Sequence, residues 1–242
     1  MHHHFARRRW LNDLAAYPPL ALWLPFPIYR ETHQVHHSFS LLTDPYRDPE
    51  SFYVDQASWA RLPAGVRRLL IWHNTLIGRL LLGPFLVIGQ FFYSEAKALL
   101  QGDHRHLRAW FQHIPASAAV LVWVLIMADM PILTYLGCFV LPGLSLTLVR
   151  SFAEHKAAHT PFERTAIVEA GPFFSLLFLN NNLHFAHHRR PDLPWQALPA
   201  YFRRHRARLL EDNGGLHYPD GYLEIAHRFL TRPVDRPEHP FC

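Results

Sequence analysis

The sequence predicts an all-α membrane protein, a helical stem carrying a polar helical cap, on three observations. Half of the 242 residues are hydrophobic and only 18% are charged, against roughly a quarter charged in a soluble domain. Residues 117–149 form one apolar run whose single charge is Asp129. Histidine, with 19 residues, is concentrated in clusters at the borders of apolar stretches.

The elements follow in order. Residues 14–28 are apolar but carry Pro18, Pro19, Pro25 and Pro27, which predicts a bent segment at the membrane interface. Residues 76–93 are about one span long, interrupted by Arg79 and Gly83-Pro84, and predict a kinked or shallow membrane helix. Residues 117–149 are too long for one crossing of a hydrocarbon core roughly 30 Å thick. Pro131 divides them, so a helical hairpin over about 114–149 is expected, with a short first arm and Asp129 near the far polar face. The tail holds one expected helix, residues 200–211, stopped by Asn213-Gly214-Gly215.

The stretches 30–68, 97–113 and 150–242 hold most of the Arg and Lys. The positive-inside rule therefore places them on the cytoplasmic side. The expected organisation is a single domain over 1–242, with 30–68 and 150–242 as the cap. Formal charge is +5, but the basic residues are scattered and form no nucleic-acid recognition module. Cys138 and Cys242 make neither a disulfide framework nor a C-x-x-C pair. The start, with His2, His3 and His4 before Arg7-Arg8-Arg9, lacks the apolar core of a secretory signal.

The chemistry lies in two H-x-x-H-H clusters, His33-His36-His37 and His184-His187-His188. On a helix, positions i, i+3 and i+4 share a face, so each cluster is expected to converge. Between them stand His155 and, four residues on, His159. Six or seven imidazoles exceed the needs of one tetrahedral zinc and suit two metals of the kind neutral imidazole prefers. Neither the Glu-x-x-His pattern of soluble di-iron bundles nor a zincin H-E-x-x-H is present. Glu31, Asp44, Asp48 and Glu154 are candidates to fix imidazole tautomers. Asn180, Asn181 and Asn182 are read as helix caps in the first place, and alternatively as groups that bind a metal-bound water. Phe173, Phe174, Phe178 and Phe185 are read either as core or as walls of an apolar groove.

The boxes on either side of a hydrophobic hairpin resemble the membrane fatty acid desaturase and hydroxylase superfamily of bacterial type. The resemblance extends to Trp23-Leu24-Pro25 with Tyr29-Arg30-Glu31-Thr32-His33, to Leu42-Thr43-Asp44-Pro45 with Asp48-Pro49-Glu50-Ser51, and to Leu193-Pro194-Trp195. It covers nearly the whole chain. It implies a non-haem di-iron centre of two iron ions, reduced by an external ferredoxin- or cytochrome-like donor and acting with O2 on a fatty acyl lipid chain. It also implies multiple passes through a bacterial inner membrane.

By the same resemblance, His33, His36, His37, His184, His187 and His188 match the second and third boxes. His155 matches the additional ligand between them. The family's first box, expected about thirty residues upstream, is represented only by His2, His3 and His4, so the chain start is truncated or the box degenerate. His159 has no clear counterpart and is read as standing beside the site or on the surface rather than as a ligand. Three readings follow: a desaturase, a hydroxylase of alkyl, carotenoid or sphingolipid chains with the same centre, or an inactive relative that keeps the site's packing.

Overall fold

Proline positions set the entry to the fold in the computed structural model, which describes residues 8–242. His2, His3 and His4 lie outside the described residues. Helix α1 (Arg9–Ala16) stops ahead of Pro18 and Pro19, and α2 (Phe26–His36) begins after Pro25 with Pro27 in its first turn. There a missing N–H costs no helical bond. The bent segment expected over 14–28 is thus a break between two helices. The Tyr135 hydroxyl donates to the Leu20 carbonyl and His113 Nε2 to that of Leu22, at 2.9 Å for the latter.

Helices α3 (Gln56–Arg61) and α4 (Ala64–His73) lead to α5 (Leu76–Leu100). Asp55 and Thr75 cap α3 and α5, their side chains accepting from the Ser58 and Gly78 amides. The Gly83-Pro84 break expected within 76–93 does not end α5, which runs on for a further seven residues to Leu100. Pro84 cannot donate to the Leu80 carbonyl, four residues back. That carbonyl instead accepts from Ser145 Oγ at 2.8 Å. Gly83 lets the neighbouring helix close, since a Cβ there would lie 2.8 Å from Leu148 Cδ1.

The hairpin is also longer than its expected limits. Its first arm, α6 (Leu107–Val122), continues through a π-turn to Met127. Asp129, at φ 46°, makes the reversal. The second arm runs unbroken over Ile132–Glu154, comprising α7 (Ile132–Tyr135), a π-turn and α8 (Leu141–Glu154). The first arm is therefore not short. Residues 107–113, polar in sequence, join the helix because Glu95 accepts from His106 Nδ1 at 2.8 Å and Trp110 Nε1 at 2.9 Å. Leu76–Leu100, Leu107–Met127 and Ile132–Glu154 are each long and apolar enough to cross a membrane.

The cap follows Glu154. It contains α9 (Pro172–Leu177), α10 (His184–Arg189), α11 (Leu198–Asp212) and α12 (Gly221–Phe229). A two-residue parallel pairing of β1 (Ile167–Val168) with β2 (His217–Tyr218) ties its halves. Helix α11 matches the expectation over 200–211. Helix α12 is an addition to the one helix expected in the tail; it buries Tyr222 and Ile225 in a core with Leu76 and Phe152. The last residues fold back onto the cap, with Val54 N–H donating to Pro237 O at 2.8 Å and Val234 N–H to Asn74 O at 2.9 Å. Tyr53 donates its hydroxyl to Asp235 at 2.7 Å and accepts from the Ala157 amide at 2.9 Å.

The corner between α4 and α5 depends on Gly78, where a Cβ would lie 1.9 Å from the Trp72 carbonyl oxygen. Gly78→Ala is expected to cost about 3 kcal/mol through this backbone clash. Gly89→Ala, into open space, should stabilise by up to ~1 kcal/mol from helix propensity. Thermal unfolding in mild detergent measures both.

Candidate metal centre

The seven histidines singled out in the sequence come together from three places in the chain. His33 and His36 occupy the last turns of α2, and His37 is its C-cap. His155 is the first residue past α8. His184, His187 and His188 belong to α10, all three buried. They form two groups, His36-His155-His184-His188 and His33-His37-His187, in each of which the ligand atoms lie within 4.8 Å of one another.

This partition corrects the expectation that each box converges on one point. The i, i+4 pairs stay together, His33 with His37 and His184 with His188. The i+3 members cross over: His36 joins the second box and His187 the first. Adjacent residues on a helix point about 100° apart, so His36 and His37 cannot serve one point, nor can His187 and His188. Two helix ends facing each other therefore build two sites, each drawing on both boxes.

The ring orientations define what the sites can hold. His36 Nδ1 donates to Asp48 Oδ1 at 2.9 Å and His33 Nδ1 to Glu50 Oε1 at 2.6 Å. His155 Nδ1 donates to the Arg164 carbonyl at 3.2 Å. His184 Nδ1 faces Asn181 Oδ1 at 3.4 Å and Glu154 Oε1 at 3.5 Å. With Nδ1 carrying the proton, Nε2 presents a lone pair. In the larger group the separations His36–His155, His155–His184 and His184–His188 are each 3.0 Å between Nε2 atoms; His37 and His187 stand at 3.1 Å in the other. Nitrogens bound cis to one metal at about 2.1 Å lie about 3 Å apart. Converging lone pairs at that spacing fit a cation, so the residues suit a metal.

Protonation agrees. Burial pushes His155, His184 and His188 well below the ordinary imidazole range, and the neighbouring histidines, with Arg150 for His155 and His184, push in the same direction. At neutral pH they are neutral, the form that binds metal. His36 goes the other way: burial lowers it, but the Glu50 and Asp48 carboxylates outweigh burial and raise it. Glu50 is held far below the carboxylate range, the His36 and His33 rings outweighing the burial that would raise it.

Of the four acidic candidates, Asp48 and Glu154 stand beside the site. Glu31 instead faces Arg105 and His106, and Asp44 pairs with Arg47. Glu50, which orients His33, was not among those candidates. Its signal is its place two residues after Asp48, whose Oδ1 accepts from the Glu50 amide at 3.0 Å and so fixes the turn. The asparagines do not cap α10, whose N-cap is Leu183; Asn181 faces His184, and Asn182 donates to the Val168 carbonyl at 2.7 Å. Glycine-like backbone at Asn180 (φ 56°) explains one of them. Phe174 and Phe178 pack on Tyr222, Phe185 is buried under α11, and Phe173 is exposed. The groove-wall alternative therefore gains no support for Phe174, Phe178 or Phe185. His159 is outside both groups, its ring 3.8 Å from that of Phe241.

The family model for fatty acid desaturase matches residues 1–220 of the chain. Comparison with curated proteins and with solved structures finds no match.

Removing the carboxylate that orients His33 tests the site's outer layer. Glu50→Gln is expected to weaken divalent-metal binding about 10–100-fold, whereas the exposed Glu31→Gln should leave it unchanged. Competition with a chromophoric chelator reads both.

Proposed function

The chain belongs to the fatty acid desaturase family, and on that premise we propose that it introduces a double bond into a fatty acyl lipid chain using O2. Family and apolar helices together make it a membrane oxidoreductase of the desaturase and hydroxylase kind. The finer reading is carried by one observation, the two groups of imidazoles built crosswise from both boxes.

In this reading two iron ions would be held, one by His36, His155, His184 and His188, the other by His33, His37 and His187. With reduced iron bound, the centre supplies the activation of O2 that removal of hydrogen from an unactivated methylene requires. The balance is a saturated –CH2–CH2– unit and O2 going to –CH=CH– and two waters, with the remaining electrons and protons delivered by an external ferredoxin- or cytochrome-like donor.

The chain's own part is to hold and orient. Asp48 and Glu50 keep His36 and His33 protonated on Nδ1, so that Nε2 faces inward. Glu154 and Asn181 do the same for His184. Arg150, 3.3 Å from Glu154, balances the charge of that buried carboxylate. Burial of five of the seven rings excludes water from their nitrogens. The histidine boxes face the cytoplasm, at the inner membrane of a bacterial-type cell, and residues 1–242 act as one domain.

Expression in cells with saturated lipids tests this reading. A new acyl double bond, dependent on O2 and reductant, is expected, with His188→Ala reducing it at least about 100-fold, beyond what loss of an outer-layer contact causes. An alcohol product would move the assignment to hydroxylation. Unchanged lipids, with iron bound, would overturn catalysis on acyl chains.

A further inference from the structure

We propose that α5, although long and apolar enough to cross a membrane, does not cross it. It lies along the bilayer surface on the side of the histidine groups, with the face formed by Ile77, Leu81, Phe85, Phe92 and Leu99 in the lipid.

The first argument is one of parity. His36 precedes α5 and His155 follows α8, yet their Nε2 atoms are 3.0 Å apart. Between them the chain passes Leu76–Leu100, Leu107–Met127 and Ile132–Glu154. Three complete crossings would put the two histidines on opposite sides of roughly 30 Å of hydrocarbon. The number of crossings between them is therefore even. The arms Leu107–Met127 and Ile132–Glu154 are joined by the short reversal at Asp129 and cross as a pair. The helix left over is α5.

The second argument comes from the ends of α5 and is independent of the count. Its start is tied to the cap: Ile77 N–H donates to Leu230 O at 3.1 Å, and Arg79 Nη2 to Asn74 Oδ1 at 3.0 Å. The Arg79 guanidinium stands 3.9 Å above the Phe52 ring, in the loop that carries Asp48 and Glu50. Its far end is tied to the same side. Glu95 accepts from His106 and Trp110. His106 and Arg105 in turn approach Glu31, at 3.7 and 4.0 Å. Glu31 is two residues from His33, which belongs to a histidine group. Side chains of these lengths cannot reach across a bilayer. A helix of 25 residues, about 37 Å long, with both ends held on one side must run along the surface.

The helix is built for that position. Ile77, Leu81, Phe85, Phe92 and Leu99 are all exposed and fall within about 80° of its circumference. Leu76, Arg79 and Gly83, on the opposite side of the helix, are buried. Exposed Trp72 and Tyr93 supply the rings favoured at the headgroup level. An apolar face of this kind is what an interfacial helix buries at the boundary of the acyl region. Neither the even number of crossings nor the tethering of both ends of α5 depends on a bound metal.

The test is cysteine accessibility in the full chain, using sealed membrane vesicles of both orientations and a membrane-impermeant maleimide. In a Cys138→Ala background the native Cys242, exposed on the cap, reports the cap side. With Cys242→Ala added, His104→Cys reports the turn after α5 and Ala128→Cys the hairpin reversal. We expect positions 104 and 242 to label from one side and position 128 from the other. Labelling of 104 together with 128, opposite 242, would overturn the proposal, because α5 would then cross. Labelling of all three from one side would overturn it too, since the hairpin would not cross. So would protection of 104 from both sides.

Discussion

Lone pairs on imidazoles repel when they face each other, and this protein brings seven histidine rings together in two close groups. The proton of His36 is committed to Asp48, that of His33 to Glu50 and that of His155 to a backbone carbonyl. Their Nε2 atoms are left to converge with those of α10. A cation placed between them would turn that repulsion into attraction. The surrounding layer of carboxylates, themselves anchored by Arg150 and by the Thr43 and Glu50 amides, serves this one requirement. Helix geometry then makes two sites of it, because neighbouring positions on α2 and α10 point in different directions.

Holding those rings needs rigid supports that meet from distant parts of the sequence. Helix α8 delivers His155, and its position against α5 is set by a substitution of one bond for another. Pro84 leaves the Leu80 carbonyl without its helical donor, and Ser145 supplies one. Gly83 allows the approach that makes this bond possible. The tail then closes the cap loop over the site, with Tyr53 bridging Asp235 and the Ala157 amide. Apolar elements thus carry the scaffold, and a few polar bonds determine where its ends meet.

Much of this was legible in the sequence, and the rest was not, for physical reasons. The hairpin was visible because an apolar run of such length with a single charge, Asp129, has few other uses. Six of the seven histidines were visible because their spacing repeats, and His155 through the family resemblance. Helix limits were less so: the Gly83-Pro84 pair looks like a break unless the partner Ser145 is known, and the polar start of α6 looks like a loop unless Glu95 is seen to satisfy it. The crossing of His36 and His187 into opposite groups depends on how two helices face each other, which spacing along one helix cannot report. Helix α12 was hidden in a Pro- and Arg-rich tail, its core-facing side formed by Tyr222, Ile225, Ala226 and Phe229. Glu50 was hidden because its role depends on a turn made by Asp48.

The central claim is that these rings form two metal sites. Elemental analysis of the full chain, purified in mild detergent from iron-supplemented cells, tests it most directly. About two irons per chain are expected, in keeping with the two groups of imidazoles. One iron or none would contradict it, and would mean that the two boxes and His155 do not by themselves complete the centre.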